Sequence, residues 1–224
     1  MDPQSPADRR HTDQGNERKQ QLLRTAEDLF AAKGYAHTRI ADICAAAGVA
    51  KGLFYWYFPT KESLFAELVR SMRQRLRRAQ AAAMASETDP LAQIRQGTEA
   101  SVRFMAEHRS YFALLDVERS DHDVASLLRE GSDVYADDVI RLVTEAQARG
   151  EVTDGEPRLY AVGVMGAVSS FCHAWRNGVL DIDIDELAIA VGDWVIGGLR
   201  APAAASTAAG RPPARAIPPT TGHA

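Results

Sequence analysis

Lys51, Gly52, Tyr55 and Trp56 stand at i, i+1, i+4 and i+5 of a short stretch whose other bulky residues, Phe54 and Phe58, stand at i and i+4 of their own register. On a helix these two sets occupy different faces. The phenylalanines belong to a core, and the other set is left outside. One cation, one glycine and two large aromatics with polar tips make an unusual solvated surface but suit the major groove of a duplex. Lys51 there reaches guanine acceptors or phosphate, Trp56 lies against a thymine methyl, and the Tyr55 hydroxyl donates to phosphate. Lys61 points the same way. Thr60 reads as the cap of the following helix, and a lysine at the first position of that helix opposes its macrodipole by a few tenths of a kcal/mol. A phosphate lying between them turns the conflict into attraction.

Other residue types with reactive side chains lack a supporting frame. Ser169, Ser170, Cys172 and His173 bring nucleophiles and a base together, and Asp121, His122 and Asp123 offer metal ligands. No G-x-S-x-G elbow, H-E-x-x-H, paired Cys-x-x-Cys or glycine-rich phosphate loop accompanies them, so neither catalysis nor a metal or other cofactor is expected. Cys44 and Cys172 lie far apart, each inside an apolar helical pattern, and read as core thiols of a reducing compartment. The polar, Pro-, Asp- and Arg-rich residues 1–15 are no signal peptide, which makes a cytoplasmic location the expectation. Leu159 to Trp175 carries no Asp, Glu, Lys or Arg but is short of the ~20 residues needed to span a bilayer, and it reads as a buried helix.

The elements that must position the outward face precede it. Thr38 is placed to cap a helix with Ile40, Ile43, Cys44 and Ala47 on its apolar side. Gly48 supplies the left-handed turn, and Ala50 starts the second helix. A longer helix before them, from about Asn16 to Lys33, buries Leu22, Leu23, Ala26, Leu29 and Phe30 and ends at Gly34. Together they make a three-helix head built around a helix-turn-helix.

From Gly48 the chain reads Gly-Val-Ala-Lys-Gly-Leu-Phe-Tyr-Trp-Tyr-Phe-Pro-Thr-Lys-Glu-Ser-Leu64, preceded by Leu22-Leu23, Ala26, Leu29-Phe30 and Lys33-Gly34-Tyr35. This run resembles the head of the tetracycline-repressor (TetR) family of bacterial regulators, and the specific match covers about residues 17–70. Ala50 stands where the family often has Ser or Thr, and Tyr57 where it often has His. The resemblance implies that Thr38, Arg39, Lys51, Gly52, Tyr55, Trp56, Tyr57 and Lys61 contact double-stranded operator DNA. It also implies a homodimer and a ligand pocket in the C-terminal domain.

Charge supports a polar division of labour. The chain has a formal net charge of -4, yet residues 16–80 hold 12 Lys/Arg against 6 Asp/Glu, while residues 81–200 hold 10 against 21. A basic head on an acidic body orients the molecule on a duplex. The expected organisation is a disordered tail over residues 1–15, a DNA-binding domain over 16–62, a regulatory, ligand-binding and dimerisation domain over 63–200, and a disordered Ala/Pro-rich tail over 201–224. Only helical periodicity appears between the tails, so the fold expected is all-α with about nine helices. They are Asn16–Lys33, the two short helices, Lys61 to about Ala85, Pro90–Glu107, Ser110–Glu118, Asp123–Arg149, Leu159–Arg176 and Ile184–Leu199.

The last two helices are apolar almost all round and are expected to bury one side in a partner, as a four-helix bundle between two chains. Gly163, Ala167, Ser170 and Ala174 on the first, and Leu187, Val191, Trp194, Val195 and Gly198 on the second, are the expected dimer interface. Phe104, Met105, His108, Tyr111, Phe112, Tyr135, Met165, Phe171, His173 and Trp175 are the candidates to line a pocket for a small apolar or aromatic effector. The function expected is a ligand-responsive repressor that binds a palindromic operator as a homodimer and is released by its effector. The competing classes are a sequence-tolerant architectural DNA-binding protein and an enzyme in the C-terminal domain.

Overall fold

The computed structural model describes the backbone of residues 6–118 and 133–200 and the side chains of residues 15–115 and 136–200. The described residues form nine helices: α1 Pro6–Lys33, α2 Ile40–Ala47, α3 Lys51–Tyr57, α4 Lys61–Met84, α5 Pro90–Glu107, α6 Arg109–Glu118, α7 Asp133–Ala148, α8 Pro157–Arg176 and α9 Ile184–Leu199. Among them there is no strand beyond one isolated antiparallel bridge between Val152 and Arg200. The fold class is all-α, as the periodicity indicates. No helix of the described residues is long and apolar enough to cross a membrane.

Helix boundaries follow local chemistry. α4 starts in a reciprocal cap: the Thr60 hydroxyl accepts from Ser63 N–H and the Ser63 hydroxyl accepts from Thr60 N–H, both at 3.1 Å. The Asp89 carboxylate accepts from Ala92 N–H at 2.8 Å ahead of Pro90, the first residue of α5. α1 begins at Pro6 instead of Asn16, so much of the expected disordered tail is helical. Its polar residues give no apolar stripe to mark the extension, but proline is well suited to a first helical position. α7 begins at Asp133, and the expected start at Asp123, with Val124, Leu127 and Leu128, lies outside the described residues.

Two packed clusters organise the chain. The first gathers α1 to α4 around Leu22, Phe30, Ile43, Phe54, Phe58, Leu64 and Phe65. Phe65 packs edge-on to Phe30 at 5.8 Å between ring centroids and lies 4.9 Å from Tyr35. The second gathers α5, α7, α8 and α9 around Ile94, Val102, Leu142, Val143, Val164, Leu187 and Val191. The boundary between them is not residue 62: Phe104 of α5 and Tyr111 and Leu114 of α6 belong to the first cluster. Burial drives the Tyr111 phenol well above its usual range.

Charge pairs lie over the α5–α9 contact. Arg95 pairs with Asp193, and Arg103 Nε donates to Asp185 at 2.6 Å. Gly192 lets the helices close, because a Cβ there would sit 3.3 Å from Glu99 Cγ. On α4, Arg77 reaches Asp138 of α7 at 3.5 Å, a salt bridge between this basic helix and the acidic body.

Candidate nucleic-acid interface

The turn between α2 and α3 is made by Gly48, which sits at φ 65°, ψ 34° and closes α2 with its N–H pointing back to Ala45 and Cys44. The backbone there is left-handed, so a side chain would be strained. With so short a turn α3 leaves α2 steeply, buries Phe54 and Phe58, and leaves Tyr55 and Trp56 outside. Trp56 is 74% exposed and Tyr55 53%. Lys51 and Gly52 are exposed beside them, so the outward face inferred from the spacing is present. A Cβ added at Gly52 would meet no atom of the protein within 4 Å. Glycine costs a helix about 1 kcal/mol relative to alanine, and nothing inside the chain needs it there.

Arg39 is exposed at the start of α2, where its backbone N–H donates to the Asp42 carboxylate at 3.0 Å. This corrects the role expected of Thr38. Arg39 holds the capping position, whereas Thr38 is 1% exposed and its hydroxyl donates to the carbonyls of Gly34 at 2.8 Å and Leu29 at 3.3 Å. Its side chain therefore ties α2 to the end of α1 and does not reach a duplex. Tyr57 is half-buried, with its ring edge-on to Trp56 at 4.5 Å.

Lys61 also differs in detail. Its ammonium donates to the carbonyls of Tyr35 at 2.8 Å and Thr38 at 3.1 Å and lies 4.1 Å from the centroid of the Tyr35 ring. The conflict with the α4 dipole is thus relieved by protein carbonyls, with one N–H of three left over for a phosphate. Beside it Glu62 is held below the usual carboxylate range by its own backbone N–H, then by the Thr60 and Tyr35 hydroxyls. Lys61→Ala strands two partly buried carbonyls and is expected to destabilise the head by about 1–3 kcal/mol. An unchanged urea midpoint for this variant would show that the two hydrogen bonds contribute nothing.

The residues expected to line a pocket do not form one group. Phe104, His108, Tyr111 and Phe112 meet at the seam between the clusters, where the His108 and Phe104 rings stand 4.3 Å apart. Arg75 of α4 lies 3.0 Å from His108 Nε2, and burial followed by this guanidinium holds the imidazole below its usual pKa. Tyr111 and Phe104 belong to the head's core and Met105 to the body's. Phe171 stacks edge-on with Trp194 at 5.8 Å. Trp175 donates to the Ile182 carbonyl at 3.1 Å, Met165 is half-buried, and His173 is exposed. The side chain of Tyr135 lies outside the described residues. Aromatic identity had marked bulk, which cores and pockets both use.

The residues expected at a dimer face divide between the chain's own core and its surface. Leu187, Val191 and Val195 are 3%, 1% and 3% exposed, and Ala167 is also buried, so these four fill the chain's own core. Ala174 is half-buried, while Gly163, Ser170, Trp194 and Gly198 are exposed. Outside that expectation, Leu159 (69% exposed) and Val162 (56%) on α8 and Ile189 (48%) on α9 are large apolar residues left at the surface, as is Trp194 (59%). The signal that could have found them is the phase of the core: once Leu187, Val191 and Val195 point inward, Ile189 and Trp194 point out.

Comparison with known proteins covers both clusters. A family model described as bacterial regulatory proteins, tetR family, matches residues 22–68, and one described as the tetracyclin repressor-like C-terminal domain matches residues 87–193. The HTH-type transcriptional regulator YerO of Bacillus subtilis is 45% identical over 49 residues, a match spanning 22% of this chain and 17% of that protein. A protein of Escherichia coli K12 named "Probable acrEF/envCD operon repressor" is 27% identical over 188 residues, which cover 80% of this chain and 84% of that one. The transcriptional regulator FadR from Bacillus subtilis, solved in complex with stearoyl-CoA, superimposes with a TM-score of 0.72 at 20% identity, covering 81% of this chain and 99% of that one.

Proposed function

Starting from a chain that belongs to the tetracycline-repressor family, and so is a helix-turn-helix transcriptional regulator and not an enzyme, we propose that it is a ligand-responsive repressor acting as a homodimer on a palindromic operator. The observation that carries the DNA-facing part is the outer side of α3, where Lys51, Gly52, Tyr55 and Trp56 stand clear of the protein with open space over the glycine. Seated in a major groove, Lys51 and Trp56 read base edges, and the hydroxyls of Tyr55 and Tyr57 donate to phosphates. Arg39, at the start of α2, adds a phosphate contact from the side.

Dimerisation is supported by the exposed apolar side chains of Leu159, Val162, Ile189 and Trp194 on α8 and α9, which a monomer leaves in water. Two heads related by a two-fold axis read two half-sites about 34–36 Å apart, or a multiple of that spacing. The body takes a small apolar or aromatic effector. Support comes from its aromatic and aliphatic interior and from the stearoyl-CoA bound by the Bacillus subtilis regulator of the same fold. Binding shifts α4 and α6, which run from the body into the head's core, and so changes the spacing of the heads. A tenfold preference of effector for the non-binding conformer supplies about 1.4 kcal/mol, so effective release needs a larger preference or two sites per dimer.

The test is selection of bound duplexes from a random pool by purified protein at physiological salt. The expected result is enrichment of one palindrome, whose affinity an effector then lowers. Trp56→Ala is expected to recover a changed consensus, at a cost of about 1–3 kcal/mol on the original site. Recovery of unrelated sequences by the wild type would replace this reading with a sequence-tolerant architectural binder.

A further inference from the structure

Between α1 and α3 runs an open groove of about 1000 Å³ whose walls are Glu17, Arg18, Gln21 and Arg24 on one side and Trp56 and Tyr57 on the other. The groove is continuous with the recognition face through Trp56, but none of its α1 residues belongs to the helix-turn-helix. Its arginines are deployed unlike their neighbours. Lys19 of the same helix is spent on Glu67, and Arg70 shares that carboxylate. Arg18 and Arg24, in contrast, make no ion pair among the described residues. Arg18 is nevertheless positioned: its Nη1 donates to Gln21 Oε1 at 2.9 Å, and Gln21 Nε2 donates to the carbonyl of Ala47 at 3.0 Å. This relay ties the guanidinium to the last residue of α2, immediately before the Gly48 turn, and leaves four of its five N–H donors for an outside anion.

A duplex that takes α3 into its major groove, about 12 Å wide, has a sugar-phosphate strand on each side of that helix. We infer that one of those strands lies in the α1–α3 groove, with Arg18 and Arg24 neutralising successive phosphates and the Tyr57 hydroxyl donating to a third. The inference rests on the reading of α3 as the recognition helix and adds α1 as a backbone clamp. Tyr57 fits this place, since its hydroxyl already lies beside the α1 backbone at Gly15, 3.6 Å from where a Cβ would stand. Glu17 sits in the same groove with the wrong sign for a phosphate, which gives the clamp a second, opposite signature.

The test measures fluorescence anisotropy of a labelled duplex recovered by selection, and of a random duplex, across a salt series for wild type, R18A, R24A, R18A/R24A and E17Q. The expected result is that each arginine removed lowers the slope of log affinity against log salt by about 0.9 per subunit, on both duplexes alike. Glu17→Gln is expected to tighten binding at low salt. Circular dichroism melts keep any loss from being read as unfolding, and Arg18→Lys, which retains the charge, is expected to retain most of the slope. A double variant with wild-type affinity and slope, while Trp56→Ala is impaired on the same duplex, overturns the clamp and leaves the recognition helix standing. Failure of the wild type to bind any duplex overturns both.

Discussion

Trp194→Glu is expected to yield a monomer that retains its helical content and loses operator binding by about 100-fold or more. The residue is 59% exposed on α9, its ring 5.8 Å from that of Phe171 on α8, and Leu159, Val162 and Ile189 of the same two helices are exposed as well. In a two-fold interface each substitution appears twice, so two carboxylates enter the apolar centre and join Asp193 of each chain. Aromatic residues at the middle of an interface carry truncation costs of 2 kcal/mol or more, and about 2.7 kcal/mol corresponds to a hundredfold change. The loss at the operator follows because a single head makes half the base contacts. Sedimentation velocity at micromolar protein decides it. A dimer that survives Trp194→Glu would move the interface away from this residue, whereas Val191→Glu cannot serve as the test because Val191 is 1% exposed and fills the chain's own core.

Phe65→Ala is expected to cost about 3–5 kcal/mol, the range for deleting a buried phenylalanine whose surroundings cannot collapse into the cavity. Phe65 is fully buried and holds Phe30 of α1 and Tyr35 of the α1–α2 turn against α4. Its loss removes the centre of that aromatic group, and Lys61, which lies over the Tyr35 ring, loses the platform it rests on. Total stability is typically 5–15 kcal/mol, so the variant is expected to be partly unfolded at 37 °C. Urea unfolding followed by circular dichroism measures the difference, and Phe65→Leu is expected to recover more than half of it. A loss below 1 kcal/mol would mean that the aromatic group repacks freely.

Much of the head was legible because its signals are local. Lys51 to Phe58 alternate inward and outward residues at helical spacing, and Gly34 and Gly48 mark turns that only a left-handed backbone can make. The misreadings come from contacts beyond the local window. Thr38 and Arg39 are both adjacent to the start of α2, and residue type favoured the threonine. Which one caps is decided by whether the hydroxyl finds the carbonyls of Gly34 and Leu29, a contact with the preceding helix. Lys61 carries the same lesson, since its partners lie 23 and 26 residues away. In the body the periodicity located the helices but not their rotation. Along α9, apolar and small residues occupy nearly every position, so Leu187, Val191 and Val195 could not be distinguished from Ile189 and Trp194 until the neighbours were placed. The place of Arg18 and Arg24 beside α3 was not legible either, because periodicity marks the stripe that α1 buries and not the surface it turns toward α3.

Tyr111 and Leu114 of α6 are packed in the same cluster as Phe30 and Phe54 of the head. The head is therefore not a module that can be cut away and expected to stand alone. A fragment ending at the close of α4 would present the surface that Tyr111 and Leu114 cover to water, and its solubility would suffer first. The same sharing bears on the proposed effector response, because Tyr111 and Leu114 couple α6 to the head through packed side chains. Close-packed side chains settle into one arrangement or another, so the heads are expected to switch between two discrete spacings, with dose altering how many molecules have switched and not how far each has moved.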